Sequence, residues 1–464
     1  MGRAVASTGP GHVHGRAGRS RNLALVFAFA ALVAQLGFPQ SVQPQLDAIL
    51  KRAQEAQLQK DFSRAAKEYR EASKLKPSSE LYEKLGLACF LGNSYPEAIE
   101  ALSESVRLDP RRWSSQLYLG ISLYKTSRFQ QALPHIERAL QLDSRQNETS
   151  YWLGCTYHAL GSYEQASRHL RIASYRAPKN VDVLYALTET YLDFSTVLAK
   201  RLDPHTPDQE RREALDEQIG ITKSESGQDM EPWDQELRKW EQAEDRHREA
   251  LKSPHPDEES VYVLSRIYGQ LAQLTAQRVL NLDPSSYRSH QLLGEAYAAK
   301  ENYEGALVEY REALRLSPQS PGLHYSIGHA YWQMKRFQEA IPEMEKELAL
   351  NPHHPSANYV LGHIYLYQRQ VEKAAHYLQV AVEAEPSFAE ARKQLGKALS
   401  LLEENQKALE QLELAAAADP EDDSVHYLLA GVYKKMGLQD KAQQELAVFD
   451  QLRRKKHTHD EPQE

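Results

Sequence analysis

The chain has 464 residues, of which 41% are hydrophobic and 26% are charged, and its mean hydropathy is -0.64. This composition is typical of a globular protein with a polar surface and excludes a polytopic membrane protein. The net charge of -8 disfavours general nucleic-acid binding, and two cysteines are too few for a disulfide framework or a four-cysteine metal site.

The N-terminal segment has the pattern of an export signal. Four arginines lie in residues 1–22, no acidic residue occurs before Asp47, and a nearly continuous apolar run of 14 residues follows from Leu23 to Leu36. A transmembrane helix needs about 20 apolar residues, so the run fits a secretory signal better. Residues 1–40 are therefore predicted to be a signal peptide or, if uncleaved, a signal anchor through residues 23–36. The chain is expected to be periplasmic or secreted, or anchored in the inner membrane.

A period of 34 residues organises most of the remaining chain. Leu-Gly pairs recur at this spacing within two blocks, and an alanine follows twelve residues after each glycine. A proline commonly ends each period. The glycines of the pairs are Gly86, Gly120, Gly154, Gly294, Gly362 and Gly396, and the alanines after them are Ala98, Ala132, Ala166, Ala306, Ala374 and Ala408.

Each residue type in this pattern has a structural reason. Small residues allow two antiparallel helices to approach closely, and large residues such as Leu102 and Ile136 fill the space beside them. Proline cannot continue a helix and so marks the end of a unit. The predicted unit is a helix–turn–helix of about 34 residues that must stack on its neighbours to bury its apolar face.

The pattern resembles the tetratricopeptide repeat, in the form found in exported bacterial-type scaffolds. The resemblance implies an all-α, right-handed superhelical solenoid that binds protein or peptide partners and performs no catalysis. Nine full units are predicted, at 46–78, 79–112, 113–146, 147–180, 287–320, 321–354, 355–388, 389–422 and 423–456. They form an N-terminal block (41–202) and a C-terminal block (258–456), separated by a polar insertion (203–257) and followed by a disordered tail (457–464).

The period breaks in the middle of the chain. Residues 181–204 and 261–284 begin as repeats, but each lacks the expected turn and reaches its proline eight residues early. Apolar positions keep helical spacing across the missing turn, so one continuous helix is predicted in each place, with a shortened helical pair as the alternative. The insertion between them holds an amphipathic stretch at 233–251. It is expected to pack back on the solenoid, with an exposed partner-docking helix as the other reading.

The sequence offers no chemistry outside repeat packing. It contains no Gly-rich phosphate loop, HExxH or GxSxG motif. His329 and His363 occupy equivalent positions in adjacent repeats, about 10 Å apart and too distant to share one metal ion. We therefore predict no catalytic residue, no metal and no cofactor. Cys89 and Cys155 lie two repeats apart and should be free, buried thiols.

The inner surface is the predicted binding site. In the family that the repeats resemble, the concave face comes mostly from the first helix of each unit, at the positions three before the glycine and one and four after it. Aromatic and histidine side chains there supply contact area at low entropic cost. The predicted groove residues are Leu117, Ile121, Tyr124, Tyr151, His158, Tyr325, His329, Trp332, Tyr359, His363 and Tyr367.

The expected function is a non-catalytic scaffold that binds protein or peptide partners in this groove and is located in the cell envelope. Its negative charge predicts that it does not bind nucleic acid. Two alternatives stay open. One is a membrane-anchored assembly or accessory factor of an envelope enzyme complex. The other is an enzyme built on the solenoid, although the longest segment outside the repeats, 205–256, carries no catalytic signature.

Overall fold

The structure is a computed structural model that describes residues 42–202, 233–248 and 257–460. Within these ranges the regular elements are 21 α-helices and no strands, which confirms the all-α solenoid of helical repeats. The predicted signal or anchor segment and the tail after Asp460 lie outside the described residues. Among the residues described, no helix is both long and apolar enough to cross a membrane.

The described chain divides into two compact units, the first ending at Ser94 and the second beginning at Tyr95. The first unit contains α1 (Val42–Leu58), α2 (Phe62–Leu75) and α3 (Ser79–Leu91). The helices of the second unit are α4 (Tyr95–Leu108), α5 (Trp113–Lys125), α6 (Phe129–Leu142), α7 (Asn147–Ala159), α8 (Tyr163–Arg176), α9 (Val181–Ala199), α10 (Trp233–His247), α11 (Glu258–Leu282), α12 (Tyr287–Ala299), α13 (Tyr303–Leu316), α14 (Leu323–Gln333), α15 (Phe337–Leu350), α16 (Pro355–Tyr367), α17 (Val371–Ala384), α18 (Ala389–Leu401), α19 (Asn405–Ala418), α20 (Asp423–Lys435) and α21 (Gln439–Asp460).

Each of the nine predicted repeat ranges holds two helices. In the repeats of the second unit that carry a Leu-Gly pair, the glycine lies where the two helices of the repeat touch. A Cβ atom added at Gly120 would lie 2.4 Å from Cγ1 of Ile136 on the following helix. At Gly294 the corresponding distance, to the ring of Tyr310, is 2.5 Å. The glycine is therefore required by the large side chain that packs across it.

The turn between the two helices of a repeat follows a rule that the sequence pattern did not reveal. One residue in each of these turns has a positive φ, near +60° at non-glycine positions such as Ser127, Lys335 and Arg369. In two repeats this position is occupied by a glycine, Gly161 in one and Gly437 in the other. A left-handed residue costs roughly 1–2 kcal/mol when it has a side chain, so the packing of the two helices must outweigh that cost in most repeats.

Glu347 departs from the repeat pattern because it serves a second purpose. It occupies the position where most repeats have alanine or serine, and it is fully buried. Its carboxylate accepts hydrogen bonds from the backbone N–H of Gly322 at 3.0 Å and of Tyr325 at 3.3 Å. These donors lie at the N-terminus of α14, where a negative charge is favoured. Burial nevertheless raises the pKa of Glu347.

The prediction of two continuous helices at the break in the period is confirmed. Helices α9 and α11 have 19 and 25 residues and pack along each other. The Thr188 hydroxyl donates to that of Thr275 at 2.8 Å, and the Ser195 hydroxyl donates to the Ser265 carbonyl at 2.7 Å. Apolar residues keep helical spacing across the place where a regular repeat turns, so each helix continues, and the pair serves as a joint between the two blocks.

The insertion helix α10 packs back on the solenoid, as expected. Trp240 is only 3% exposed, and Glu244 is fully buried. The carboxylate of Glu244 accepts from Arg171 of α8 at 2.6 Å, and from the hydroxyl of Tyr268 of α11 at 2.7 Å. Arg248, which follows α10, donates to it as well, at 2.6 Å. The side chains of Trp233 and Leu237, and residue Leu251, lie outside what the structure describes.

Two further expectations concern the cysteines and the last helix. Cys89 and Cys155 are buried thiols that form no disulfide with each other, as predicted. Helix α21 runs to Asp460, four residues past the predicted end of the last repeat at 456. The helix continues because the basic run at its end contains no breaker, and the next proline is Pro462.

Candidate functional site

The N-terminal part of the predicted groove divides into core and surface. Leu117 and Ile121 are fully buried and expose no surface to a partner, because the neighbouring helices cover them. Tyr124 and Tyr151 are partly buried, and each contacts the ring of Trp152, with centroids 5.3 and 5.2 Å apart. Partly exposed aromatic side chains therefore line this part of the wall.

His158 is held by helix α9. Its Nδ1 lies 3.0 Å from the hydroxyl of Thr190, and its Nε2 lies 3.3 Å from the carboxylate of Asp193. Burial lowers the pKa of His158, although Asp193 opposes that shift. The imidazole is therefore largely neutral at pH 7 and can exchange hydrogen bonds without carrying a charge.

The C-terminal part of the predicted groove forms one contiguous cluster, which we call the aromatic row: Tyr325, His329, Trp332, Tyr359 and His363. The Trp332 ring contacts those of His329 and His363, with centroids 5.3 and 5.4 Å apart. Its indole Nε1 donates to Nδ1 of His363 at 3.2 Å. All five side chains are partly buried, so each packs against its neighbours and also presents surface.

The two histidines of the aromatic row are uncharged at neutral pH. Burial lowers the pKa of both His329 and His363. The hydrogen bond from Trp332 requires Nδ1 of His363 to accept, so its proton lies on Nε2. Tyr367 lies apart from the row: it is 72% exposed, and its ring contacts Phe337 at 5.0 Å.

Four inner-wall residues were missed by the sequence analysis and lie together at the joint between the blocks. The Tyr185 hydroxyl donates to Glu295 at 2.7 Å and accepts from Gln291 at 2.7 Å. The carboxyl group of Glu189 is hydrogen bonded to that of Glu295. The repeat register identifies all four residues. Tyr185 and Gln291 lie three residues before Thr188 and Gly294, and Glu189 and Glu295 lie one residue after them. Thr188 stands where a regular repeat has glycine, and the predicted groove did not include the repeat of Gly294.

The two carboxyl groups of this cluster favour the protonated state. Burial raises the pKa of Glu189 well above its usual value, and the neighbouring Glu295 adds to the shift. Burial also raises the pKa of Glu295, to about 7. Two carboxylates this close cannot both ionise without strong repulsion, so near neutral pH the pair keeps a proton between them.

A cavity of about 280 Å³ opens beside this cluster, between the aromatic side chains of α5 and α7 and the start of α12. The guanidinium of Arg288 lies on its wall, 4.3 Å from the centre of the Tyr185 ring, and its Nε is 2.8 Å from the Asp182 carboxylate. Cys155 also lines the cavity, and burial raises the pKa of its thiol to about 12, so the thiol is not nucleophilic at neutral pH.

Two turns that are far apart in sequence meet in the second unit. The side-chain amide of Asn351 donates to the hydroxyl of Ser127 at 2.8 Å. A cavity of about 610 Å³ lies beside this contact, lined by residues of the α5–α6 and α7–α8 turns and of the connections before α16 and α18. The contact holds the two repeat blocks of this unit together at a second point, away from the α9–α11 joint.

Within the described ranges, no group of three or more His, Cys, Asp or Glu side chains is arranged to hold a metal ion. The prediction that no metal or cofactor binds stays a prediction for the chain as a whole.

Comparison with known proteins agrees with the repeat register. Models described as tetratricopeptide repeat match residues 50–112, 117–187 and 331–397, and a model described as TPR repeat matches 294–335, so that together they cover about half of the chain. None of the curated proteins compared with the chain matches it.

Solved structures of repeat proteins are similar to parts of the chain. MamA from Desulfovibrio magneticus is 25% identical, covering 36% of this chain and 96% of its own, with a TM-score of 0.34. YrrB, described as a TPR protein with an unusual peptide-binding site, is 24% identical, covering 38% and 91%, with a TM-score of 0.34. The APC/C hetero-tetramer Cut9–Hcn1 is 15% identical, covering 88% and 93%, with a TM-score of 0.36. The repeat models cover about half of the chain and match its helix pairs, so the chain is a tetratricopeptide repeat protein.

Proposed function

We propose that this protein is a non-catalytic scaffold that binds a peptide or protein segment along the inner wall of its repeats, with the aromatic row as the principal contact surface. The observation that carries the proposal is the row itself. Five aromatic or histidine side chains from successive first helices form a continuous surface that is half-buried and uncharged at neutral pH.

The chemistry of the row suits an extended or helical peptide. Rings that already pack against one another lose little conformational freedom on binding, so their contact area contributes to affinity at low cost. The outward edges of Tyr325, Tyr359 and the two imidazoles can also hydrogen bond to peptide groups. The proposed occupant is therefore a segment with apolar side chains and free backbone groups.

Replacing Trp332 or Tyr359 by alanine should weaken partner binding by about 2 kcal/mol or more, because aromatic residues at the centre of an interface commonly contribute this much. The partner would first be captured from the native cell envelope with the purified protein as bait, and identified by mass spectrometry. Its affinity for each variant would then be measured by calorimetry, and the melting temperature of each variant recorded in parallel.

The matched control is Tyr297→Ala, which removes a tyrosine that is 40% exposed on α12, lies outside the row and does not occupy one of the three groove positions of its repeat. This variant should bind as the unmodified protein does. A large fall in melting temperature for Trp332→Ala with unchanged partner affinity would contradict the proposal, because it would show that the row only fills the seam between repeats.

We infer separately that the protein is exported, with residues 1–40 as a signal peptide or signal anchor; the apolar run from Leu23 to Leu36 after a basic segment supports this. In the envelope it would act as a free scaffold or as an anchored accessory factor of an enzyme complex. Fractionation of native cells with mass spectrometry of the mature N-terminus tests this. A cytosolic form that begins at Met1 or Gly2 would refute export, and an envelope form that retains residues 23–36 would establish the anchor.

A further inference from the structure

The last predicted repeat, 423–456, exposes an apolar side chain at a position that the other repeats bury. Leu446 of α21 is 40% exposed, whereas the residue at the same register position is buried in each of the other predicted repeats, for example Ile136 and Leu412. Helix α20 packs beside α21 as in a regular repeat. The exposed part of Leu446 therefore lies on the side that the first helix of a following repeat covers elsewhere, and among the described residues no helix covers it.

The first helix of this repeat is uncovered on the same side. Tyr427 of α20 is 59% exposed, although its counterpart Leu117 is fully buried. Apart from its own stretch of helix, no atom lies within 4 Å of a Cβ placed on Gly431, whereas its counterpart Ile121 is fully buried. The Tyr427 ring contacts that of Phe449 on α21, with centroids 5.4 Å apart, so the two helices form one surface. We call this surface the terminal face: Tyr427, Gly431, Leu446 and Phe449.

The charges at the two ends of α20 make the terminal face complementary to itself. Asp423 lies about one helical turn before Tyr427 and Lys434 about two turns after it, so the three residues share one side of the helix. If two copies of α20 lie antiparallel, Asp423 of each is opposite Lys434 of the other, and both tyrosines lie near the middle. A surface that complements itself in this way suits a twofold contact.

The other end of the repeats offers no matching surface. In the first unit, α1 packs Leu46 and Ile49 against the helices that follow. Its exposed side chains are mainly polar, among them Gln43, Asp47 and Lys51. A polar outer face is usual for a terminal repeat. Stacking of the terminal face on α1 of another copy would cover aromatic and aliphatic groups with charged ones, so a contact between two terminal faces is favoured.

We propose that two copies of this chain associate through their terminal faces about a twofold axis, with the two α20 helices antiparallel. Tyr427, Leu446 and Phe449 of both copies form the apolar centre, and two Asp423–Lys434 pairs lie at its edge. Aromatic and aliphatic groups at the centre with charged groups at the rim are typical of protein interfaces. This self-association is independent of the proposed peptide binding, because the aromatic row lies on α14 and α16.

Sedimentation velocity of the purified protein between about 1 and 100 µM should show monomer changing to dimer, since interfaces of ordinary size reach at least micromolar affinity. Tyr427→Ala should raise the dissociation constant about tenfold or more, because it removes a central aromatic side chain. The matched control is Tyr297→Ala, which removes a tyrosine that is 40% exposed on α12 and should leave the dissociation constant unchanged. Circular dichroism would check that both variants are folded.

Charge reversal tests the antiparallel arrangement itself. Asp423→Lys places two lysines opposite each other at both ends of the contact, and Lys434→Glu places Glu opposite Asp, so each variant alone should associate about tenfold or more weakly. A mixture of the two should form a heterodimer, because each contact then pairs a positive with a negative charge. The control Lys335→Glu changes an exposed turn residue by the same charge and should associate as the unmodified protein does.

A protein that stays monomeric over this concentration range would overturn the proposal, and so would a dimer that Tyr427→Ala leaves unchanged. Oligomers that keep growing with concentration would show a head-to-tail contact instead of a closed twofold one. If folded Asp423→Lys and Lys434→Glu do not associate when mixed, the antiparallel arrangement is wrong. The proposed function is judged separately, by the affinity of Trp332→Ala and Tyr359→Ala for the captured partner.

Discussion

Replacing Glu244 by alanine should lower the free energy of unfolding by about 3–5 kcal/mol, because it leaves a buried cationic network without its anion. The Glu244 carboxylate is fully buried and binds Arg171, Arg248 and the Tyr268 hydroxyl. Arg171 is itself largely buried, so its charge cannot be fully solvated when the carboxylate is removed. Urea unfolding followed by far-ultraviolet circular dichroism measures the change.

The adjacent residue provides the control for this variant. Asp245 is exposed and pairs with Arg248 at 3.1 Å, so Asp245→Ala should cost no more than about 1 kcal/mol. Glu244→Gln keeps the shape and one acceptor and should fall between the two. A loss for Glu244→Ala as small as that for Asp245→Ala would show that α10 does not pack on α8 and α11 in solution.

Alanine substitutions at two helical glycines should have opposite effects on stability. Gly120→Ala should lower the free energy of unfolding by about 1–3 kcal/mol, because the new Cβ would lie 2.4 Å from Ile136 and 3.2 Å from the carbonyl oxygen of Ala132. Gly431→Ala should raise it by about 0.5–1 kcal/mol, because no atom lies within 4 Å of a Cβ there and alanine is the better helix former.

The pair tests the repeat register directly, since Gly431 stands one residue beyond the position that corresponds to Gly120. In the last repeat that position is occupied by Ala430, and Leu446, which corresponds to Ile136, is 40% exposed rather than buried. Thermal and urea unfolding of both variants would measure the two changes. Stabilisation by Gly120→Ala would place the close contact between the helices elsewhere.

The repeats themselves could be predicted from the sequence because their cause is local. A small residue at Gly120 and a large one at Ile136 specify a contact within one helix pair, and the same spacing recurs. The missing turn at the break in the period is equally local: apolar residues such as Tyr191 and Tyr268 keep helical spacing, and both helices continue through them. The core residues at these positions are buried as the spacing implies.

The predicted groove shows where a register count stops being sufficient. The count identifies only which side of a helix a residue occupies. It therefore assigned Leu117 and Ile121 to the inner wall, but neighbouring helices bury both. The same count correctly grouped Trp332, Tyr359 and His363. These residues occupy groove positions of adjacent repeats, and the Trp332 ring contacts the other two.

By itself the sequence determined the helix-pair repeat, its period and the place where the period breaks, because these depend on residue size and spacing within about 34 residues. Only the tertiary structure decided which groups from distant repeats meet: Glu244 with Arg171, Glu189 with Glu295, Asn351 with Ser127. It also placed the Lys125 ammonium over the Trp152 ring, whereas Lys435 at the same register position donates to the Ser400 carbonyl. Such contacts depend on how the two blocks pack through α9 and α11, a geometry that no short-range periodicity encodes.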